Sequence, residues 1–213
     1  MSLLVLLRHG QSQWNLENRF TGWHDVDLSQ LGEDEAWVGG ERMHDISFDV
    51  VFTSTLTRAI RTAELALEAS GPVNAHLKQG AGWKLVKHDD LRERHYGDLV
   101  GLNKVETAQK FGDEQVRLWR RSYSTRPPAG ESLEDVVARV TPYWEAHIRP
   151  EVAAGRNVLV AAHGNTVRAL LVVLGVHTTE EIPTVEIPTG VPLVFDYADG
   201  KFGKGHYLDD DND

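Results

Sequence analysis

Short apolar runs alternate with amphipathic stretches along most of this chain. Residues 3–7 and 48–54 are aliphatic and β-branched runs, and residues 156–175 contain a third such run, a glycine turn and an apolar helical pattern. Runs without polar residues at alternate positions are typical of strands covered on both faces. Strands that alternate with helices predict an α/β fold, a three-layer sandwich whose mostly parallel sheet has helices on both faces.

Helical spacing is clearest over residues 132–148, where six apolar residues recur at three- and four-residue steps. Pro142 lies inside this stretch and predicts a kink or a boundary. A helix is also predicted after a cap at Ser29, weakened by Gly39 and Gly40. Further helices are predicted within residues 55–70, 104–111 and 113–123.

The remaining stretches have weaker patterns. We expect residues 72–90 to form strand edges and loop, residues 191–208 to form a late hairpin, and residues 209–213 to be a solvated acidic tail. No repeat or linker interrupts the chain. We therefore predict a single domain over residues 1–213, with a small helical cap inserted at about residues 91–130.

Composition narrows the function classes. The chain has no cysteine, which excludes disulfides, zinc–thiolate sites, iron–sulfur clusters and thiol nucleophiles. Its net charge of −10 argues against nonspecific nucleic-acid binding, which relies on a large basic surface. No apolar run approaches the length of a membrane span, and the first residues lack a signal-peptide pattern. We expect a cytoplasmic protein that binds neither membrane nor nucleic acid.

Two His-Gly pairs follow apolar strands at equivalent places, at His9 and His163. A single histidine there is usually structural, but the ends of parallel strands can bring two of them into one crevice. Arg8 precedes His9, and Arg58 begins a helical stretch that follows another strand. Guanidinium groups match phosphate oxygens and an unprotonated imidazole can attack phosphorus, so this combination predicts a phosphoryl site.

A metal site is the competing interpretation, because histidine is a common zinc ligand. An arginine beside His9 would repel a divalent cation, and no His-Glu-x-x-His or Asp-rich ligand spacing occurs. Glycine-rich nucleotide-binding loops are absent as well. Three arginine pairs suggest a local anion site, although each pair alone is typical of a solvated face. They are Arg58 and Arg61, Arg92 and Arg94, and Arg120 and Arg121.

Several longer motifs carry a specific resemblance. They are RHGQSQWNLENRFTGW, TSTLTRAIRT, RERHYGDLVGLNKVETAQKFG, WRRSY, HGNTVRAL and IPTGVPLV. In order and along nearly the whole chain, they closely resemble the cofactor-dependent phosphoglycerate mutases of the histidine phosphatase superfamily. RHG alone marks only the superfamily, whereas ERHYG, GLNK and the arginine pair are much more specific.

The resemblance implies an isomerase of glycolysis and gluconeogenesis that interconverts 3-phosphoglycerate and 2-phosphoglycerate. It implies a phosphorylated His9 primed by 2,3-bisphosphoglycerate, without a metal, and Glu93 as the general acid and base. Arg8, Arg58 and a cationic His163 would surround the phosphoryl group. The residues that would hold the small phosphorylated three-carbon acids are Asn15, Thr21, Gly22, Arg94, Tyr96, Lys104, Arg120, Arg121, Gly164 and Asn165.

Two departures from the family pattern affect how well the site is shielded from water. The connection after WRRSY is only STRPPA, and the C-terminal tail is brief, which predicts some leakage of the phosphoryl group to water. A phosphatase on the same scaffold is therefore an alternative. A phospho-ligand binding module is a third, ranked last because His9 and Glu93 are both present. Whether the chain forms a homo-oligomer is left open.

Overall fold

A computed structural model describes residues 1–209. The strands are β1 (Ser2–Arg8), β2 (Val50–Thr53), β3 (Lys78–Gln79), β4 (Gly82–Trp83), β5 (Val86–Lys87), β6 (Val158–Ala162), β7 (Leu193–Ala198), β8 (Lys201–Phe202) and β9 (His206–Tyr207). The α-helices are α1 (Gln13–Leu16), α2 (Gln30–Glu41), α3 (Thr57–Ala69), α4 (Lys104–Phe111), α5 (Asp113–Arg121), α6 (Leu133–Tyr143), α7 (Arg149–Ala153) and α8 (Gly164–Val173).

The central sheet has seven strands in the order β5-β2-β6-β1-β7-β8, with β9 paired to β7. Strands β5, β2, β6 and β1 run parallel, whereas β7 is antiparallel to β1 and carries β8 and β9 antiparallel to itself. The predicted α/β fold with a mostly parallel sheet is confirmed. The late hairpin is confirmed too, although β8 and β9 each pair with β7.

Both faces of the sheet are covered, as the continuously apolar strands predict. Leu4 and Leu6 of β1 pack in one core with residues of α6 and α8, whereas Val5 and Leu7 pack in a second core with residues of α3. Because successive side chains of a strand point to opposite faces, these two cores lie on either side of the sheet. The layers are therefore helix, sheet and helix.

Helix α2 continues through Gly39 and Gly40, which the sequence predicts to weaken it. A methyl group on Gly40 would lie 2.3 Å from the carbonyl oxygen of Ala66 in α3, and one on Gly39 would lie 2.2 Å from that of Gly190. The glycines thus permit close backbone contact, and tertiary packing offsets their low helix propensity.

The predicted helix over residues 132–148 begins at Ser132, which forms a capping box with Asp135. The α-helix ends at Tyr143, one residue after Pro142, so a boundary does lie close to the proline. A π-helical turn, Trp144–Ile148, follows and leads into α7. Trp144 and Ile148 remain buried in the core, so the change of helix type keeps the apolar stripe facing the sheet.

Other boundaries differ by small amounts. The predicted helix over residues 113–123 ends at Arg121, and residues 72–90 include a 3₁₀ helix, Gly71–Leu77, before the short strands β3, β4 and β5.

A small apolar cluster lies within and beside residues 91–130, and it consists of Phe20, Leu99, Val116 and Trp119. The cap and the single-domain organisation stay predictions. No helix of residues 1–209 is long and apolar enough to cross a membrane. Residues 210–213 of the predicted acidic tail lie outside the described residues.

Candidate active site

The site lies at the carboxyl ends of β1 and β6, which are neighbours in the sheet. Arg8 pairs with Ala162 in the register of the two strands, and the backbone N–H of His9 donates to the carbonyl of Ala162 at 2.9 Å. His9 and His163 therefore leave adjacent strands side by side. Their rings meet edge-on with centroids 5.0 Å apart, so the two predicted His-Gly pairs do converge.

The hydrogen bonds of His9 leave one of its two ring nitrogens without a hydrogen. Its Nδ1 lies 2.7 Å from the carbonyl oxygen of Gly10, and since a carbonyl only accepts, Nδ1 carries the proton. Nε2 accepts from the Nε–H of Arg58 at 3.3 Å. Burial, followed by the charges of Arg58 and Arg8, holds the pKa of His9 well below its ordinary value. Nε2 therefore carries a lone pair, which can act as a nucleophile once it exchanges its long contact with Arg58 for a phosphorus atom.

Arg58 comes from the first turn of α3 and is almost fully buried. Its guanidinium also donates to the carbonyls of Gly22 at 2.8 Å and His24 at 3.1 Å, which fixes its plane. Burial lowers the pKa of Arg58 to about 10, so the side chain remains charged at neutral pH. Arg8 donates to the carbonyl of Ile187 at 2.6 Å, and its buried Nε has no partner.

His163 is fully buried behind His9. Its Nε2 lies 2.7 Å from Ser54 Oγ, and its Nδ1 has no partner. Burial is the main reason that the pKa of His163 lies well below its ordinary value, and Arg58 lowers it further. The lowered pKa runs against the expectation of a cationic His163, because a desolvated charge beside arginine is disfavoured.

Glu93 lies in a loop held by backbone contacts. One carboxylate oxygen, Oε1, accepts from the N–H groups of Arg94 at 2.8 Å and Asn165 at 3.2 Å. The carbonyl of Glu93 accepts from the indole of Trp23 at 2.6 Å. These contacts fix the carboxylate at the cavity wall.

Arg139 of α6 supports this loop from behind. It donates to the carbonyl oxygens of Asp90 at 2.7 Å and Arg92 at 3.3 Å, and it pairs with Glu131 at 3.0 Å. Both partners of that ion pair are largely shielded from solvent. The loop that carries Glu93 is thus tied to the helical layer.

A cavity of about 120 Å³ connects these groups. All the predicted site residues except His163 and Arg94 line this cavity. The predicted residues that line it are Arg8, His9, Asn15, Thr21, Gly22, Arg58, Glu93, Tyr96, Lys104, Arg120, Arg121, Gly164 and Asn165. Arg94 is fully buried and donates to the Tyr96 hydroxyl and the Arg120 carbonyl, both at 3.0 Å. It therefore supports two lining residues from behind.

Four further residues line the cavity that the sequence did not single out: Arg19, Phe20, Arg168 and Glu186. Arg168 lies four residues after Gly164 on α8, so helical spacing within HGNTVRAL could have placed it on the same face. Burial, and then Arg121, lower the pKa of Arg168 to about 10. Glu186 pairs with Arg121 at 2.7 Å and lies in a loop, where no local pattern indicates it.

The cavity has a large excess of cationic side chains over its two carboxylates, Glu93 and Glu186. Such a lining favours a small ligand with several negative charges. A nucleophilic imidazole, fixed guanidinium groups and one carboxylate within the same cavity are suited to phosphoryl transfer with proton exchange. Among residues 1–209, no cluster of three or more His, Asp or Glu side chains could hold a metal ion.

Comparisons with known proteins agree with this chemistry. Residues 4–209 match the histidine phosphatase superfamily, branch 1. A protein of Sphingopyxis alaskensis described as 2,3-bisphosphoglycerate-dependent phosphoglycerate mutase is 48% identical over 232 aligned residues, with 97% of this chain and 98% of that one covered. A protein of Methylobacterium sp. with the same description is 53% identical over 195 residues, covering 91% of this chain and 90% of its own.

Solved structures give the same superfamily fold. One described as mycobacterial hydrolase 1 superposes with a TM-score of 0.79 at 25% identity, covering 97% of both chains. A mycobacterial glucosyl-3-phosphoglycerate phosphatase in complex with VO3 superposes with a TM-score of 0.79 at 26% identity, again over 97% of both chains.

Proposed function

Since the chain belongs to the histidine phosphatase superfamily, we propose that it is a 2,3-bisphosphoglycerate-dependent phosphoglycerate mutase, which interconverts 3-phosphoglycerate and 2-phosphoglycerate. The observation that carries the proposal is the unprotonated Nε2 of His9 inside a cationic cavity that also contains Glu93. A glycolytic role of this kind would place the protein in the cytoplasm.

His9 is the nucleophile in this proposal. Its Nε2 attacks the phosphorus of a bound phosphate ester, and the P–O bond to the substrate oxygen breaks. Arg8 and Arg58 donate to the phosphoryl oxygens, where negative charge is spread in the transition state. Because both guanidinium groups are already held by backbone carbonyls, little reorganisation is needed when the charge develops.

Glu93 transfers the proton. It protonates the substrate oxygen that leaves phosphorus, and in the reverse step it removes the proton from the hydroxyl that attacks phospho-His9. Its fixed Oε1 leaves the other carboxylate oxygen, Oε2, for this exchange. The same group therefore serves both directions of the isomerisation.

The residues of the cavity fit 2,3-bisphosphoglycerate. Arg8 Nε is a buried hydrogen-bond donor without a partner, which a phosphate oxygen would satisfy, and His163 Nδ1 is a second buried nitrogen without a partner. Lys104, Arg120 and Arg121 on α4 and α5 would hold the second phosphate and the carboxylate, together with Asn15 and Tyr96. When bound, this molecule supplies the phosphoryl group that primes His9.

The alternative is a phosphatase, in which water accepts the phosphoryl group. Solved neighbours at about a quarter identity include a phosphatase, whereas the relatives at about half identity are described as mutases. The cationic residues Lys104, Arg120 and Arg121 favour the mutase, because they would retain a doubly phosphorylated species while it reorients. The mutase is therefore the function proposed.

A coupled assay tests the proposal by measuring isomerisation and free phosphate together with each phosphoglycerate. We expect trace bisphosphoglycerate to activate the enzyme and isomerisation to exceed phosphate release greatly. Mass spectrometry at alkaline pH should find the phosphoryl group on His9, with His9→Asn unlabelled and inactive. His44→Asn is the matched control, because His44 lies exposed at the surface. Equal rates of isomerisation and phosphate release would instead favour the phosphatase.

A further inference from the structure

Ser54 occupies a position behind the site that the proposed mechanism does not use. It follows β2 directly and is fully buried, and its Oγ lies 2.7 Å from Nε2 of His163. The same oxygen accepts from the backbone N–H of Leu56 at 3.2 Å. We propose, on the basis of the proposed function, that Ser54 is a positioning residue that keeps a hydrogen of the His163 ring on Nδ1, so that this N–H is donated to the transferring phosphoryl group.

Hydrogen-bond satisfaction selects this tautomer. If Nε2 carried the hydrogen, Ser54 Oγ would accept from both His163 and Leu56, and its own hydroxyl hydrogen would have no acceptor in a buried position. If instead the hydroxyl of Ser54 donates to Nε2, both the hydrogen and the oxygen of that hydroxyl have a partner. The hydrogen of the neutral imidazole must then lie on Nδ1.

Nδ1 is the ring nitrogen of His163 that has no partner, and although His163 does not itself line the cavity, its ring contacts that of His9, which does. Nδ1 is buried without a partner, and the ring lies edge-on to His9, whose Nε2 receives the phosphoryl group. A hydrogen at Nδ1 stabilises a phosphoryl oxygen, whereas a lone pair there would repel it. The choice of tautomer therefore determines whether His163 assists or opposes the transfer.

The tautomer matters because the lowered pKa of His163 favours the neutral ring. Burial and neighbouring positive charge disfavour the imidazolium form, which would carry hydrogen on both nitrogens. The charged and titratable groups that face His163 are Arg58 from α3, Arg8 and His9 from the end of β1, and Arg139 from α6. A neutral histidine has a single N–H group. A hydrogen bond accepted by its other ring nitrogen fixes which nitrogen carries that hydrogen.

Nitrogen NMR of the whole protein labelled at histidine ring nitrogens tests the tautomer without any substrate. We expect His163 to show a protonated Nδ1 and an unprotonated Nε2 at neutral pH, with His163→Gln identifying the signals. The opposite tautomer would overturn the inference while leaving phosphorylation of His9 untouched. Conversely, failure of the wild-type protein to form phospho-His9 would count against the proposed function and not against the measured tautomer.

Rapid-quench phosphorylation by bisphosphoglycerate tests the consequence. Ser54→Ala should slow phosphorylation of His9 by about tenfold to a hundredfold, which is below the effect of about 10² to 10³ for removing a transition-state donor outright, because the ring of His163 remains, and KM should change little. Ser54→Thr retains a hydroxyl and should recover most of the rate. Ser2→Ala is the matched control, because Ser2 is a buried serine whose hydroxyl donates to the carbonyl of Val152 at 2.8 Å, within the sheet and helix packing.

The pH dependence separates positioning from a general structural defect. The deficit of Ser54→Ala relative to wild type should shrink as the pH falls, because the protonated ring of His163 carries hydrogen on Nδ1 in either protein. A deficit that stays constant with pH, or an equal loss in Ser2→Ala, would overturn the proposal. If Ser54→Ala does not fold, the tautomer measured in the wild-type protein decides the question.

Discussion

Replacing Glu93 with glutamine removes a proton carrier while changing the shape of the site very little. Oε1 of Glu93 accepts from two backbone N–H groups, at 2.8 Å and 3.2 Å, and a glutamine amide oxygen can accept from both. Each of these bonds changes from charge-assisted to neutral, a weakening of about 1 kcal/mol. We therefore expect Glu93→Gln to fold and to lose at most about 2 kcal/mol of stability from these two contacts.

The kinetic cost should be larger and confined to steps that need a proton. General acid–base groups contribute about 10² to 10⁴ in rate, which is about 2.7 to 5.4 kcal/mol of barrier at about 1.36 kcal/mol per tenfold. We expect isomerisation by Glu93→Gln to fall by about a hundredfold or more, with KM nearly unchanged. Phosphorylation of His9 by an aryl phosphate with a good leaving group should fall by less than about tenfold, since that oxygen leaves without a proton.

Steady-state isomerisation and rapid-quench phosphorylation with the aryl phosphate are the two assays. Glu186→Gln is the matched control, because it removes the other carboxylate of the same cavity, which pairs with Arg121 at 2.7 Å. Glu186→Gln should lower KM, because it releases Arg121 to bind the anionic substrate. It should not slow isomerisation more than phosphorylation by the aryl phosphate. Equal losses with both substrates in Glu93→Gln would refute the acid–base assignment.

Three other predictions follow from the packing and electrostatics. Gly40→Ala should lower the free energy of unfolding by about 3 kcal/mol, because the added methyl would lie 2.3 Å from the Ala66 carbonyl oxygen, whereas Gly82→Ala, with open space around it, should cost little in the same denaturant titration. At pH values between the ordinary histidine pKa of 6.5 and the lowered pKa of His163, the unfolded chain binds more protons than the folded protein does. The free energy of unfolding should therefore fall as the pH falls through that window. His163→Gln should reduce the slope measured by denaturant titration by about 1.4 kcal/mol per pH unit, and an unchanged slope would contradict the lowered pKa. Treatment with EDTA should leave isomerisation intact, and a loss restored by zinc or magnesium would contradict the assignment of the cationic role to arginine.

Local sequence patterns indicate the layer order of the fold and place each His-Gly pair at the end of a buried strand. Continuously apolar strands such as β1 and β6 require cover on both faces, and the parallel pairing of neighbouring strands brings His9 and His163 to one edge. These features follow from local patterns that repeat along the chain. Local patterns also indicated the cap at Ser29 and the helix that begins after Ser132.

The electrostatics and exposure of individual site residues depend on the tertiary structure. The pKa of His163 is lowered because distant segments bury it and bring Arg58 beside it, and Arg94 lies behind the cavity wall although it belongs to the same motif as Glu93. Gly40 continues a helix because the backbone of α3 lies against it. Burial, close backbone contact and hydrogen bonds between distant residues form only when the layers assemble. The residues adjacent in sequence therefore do not predict them.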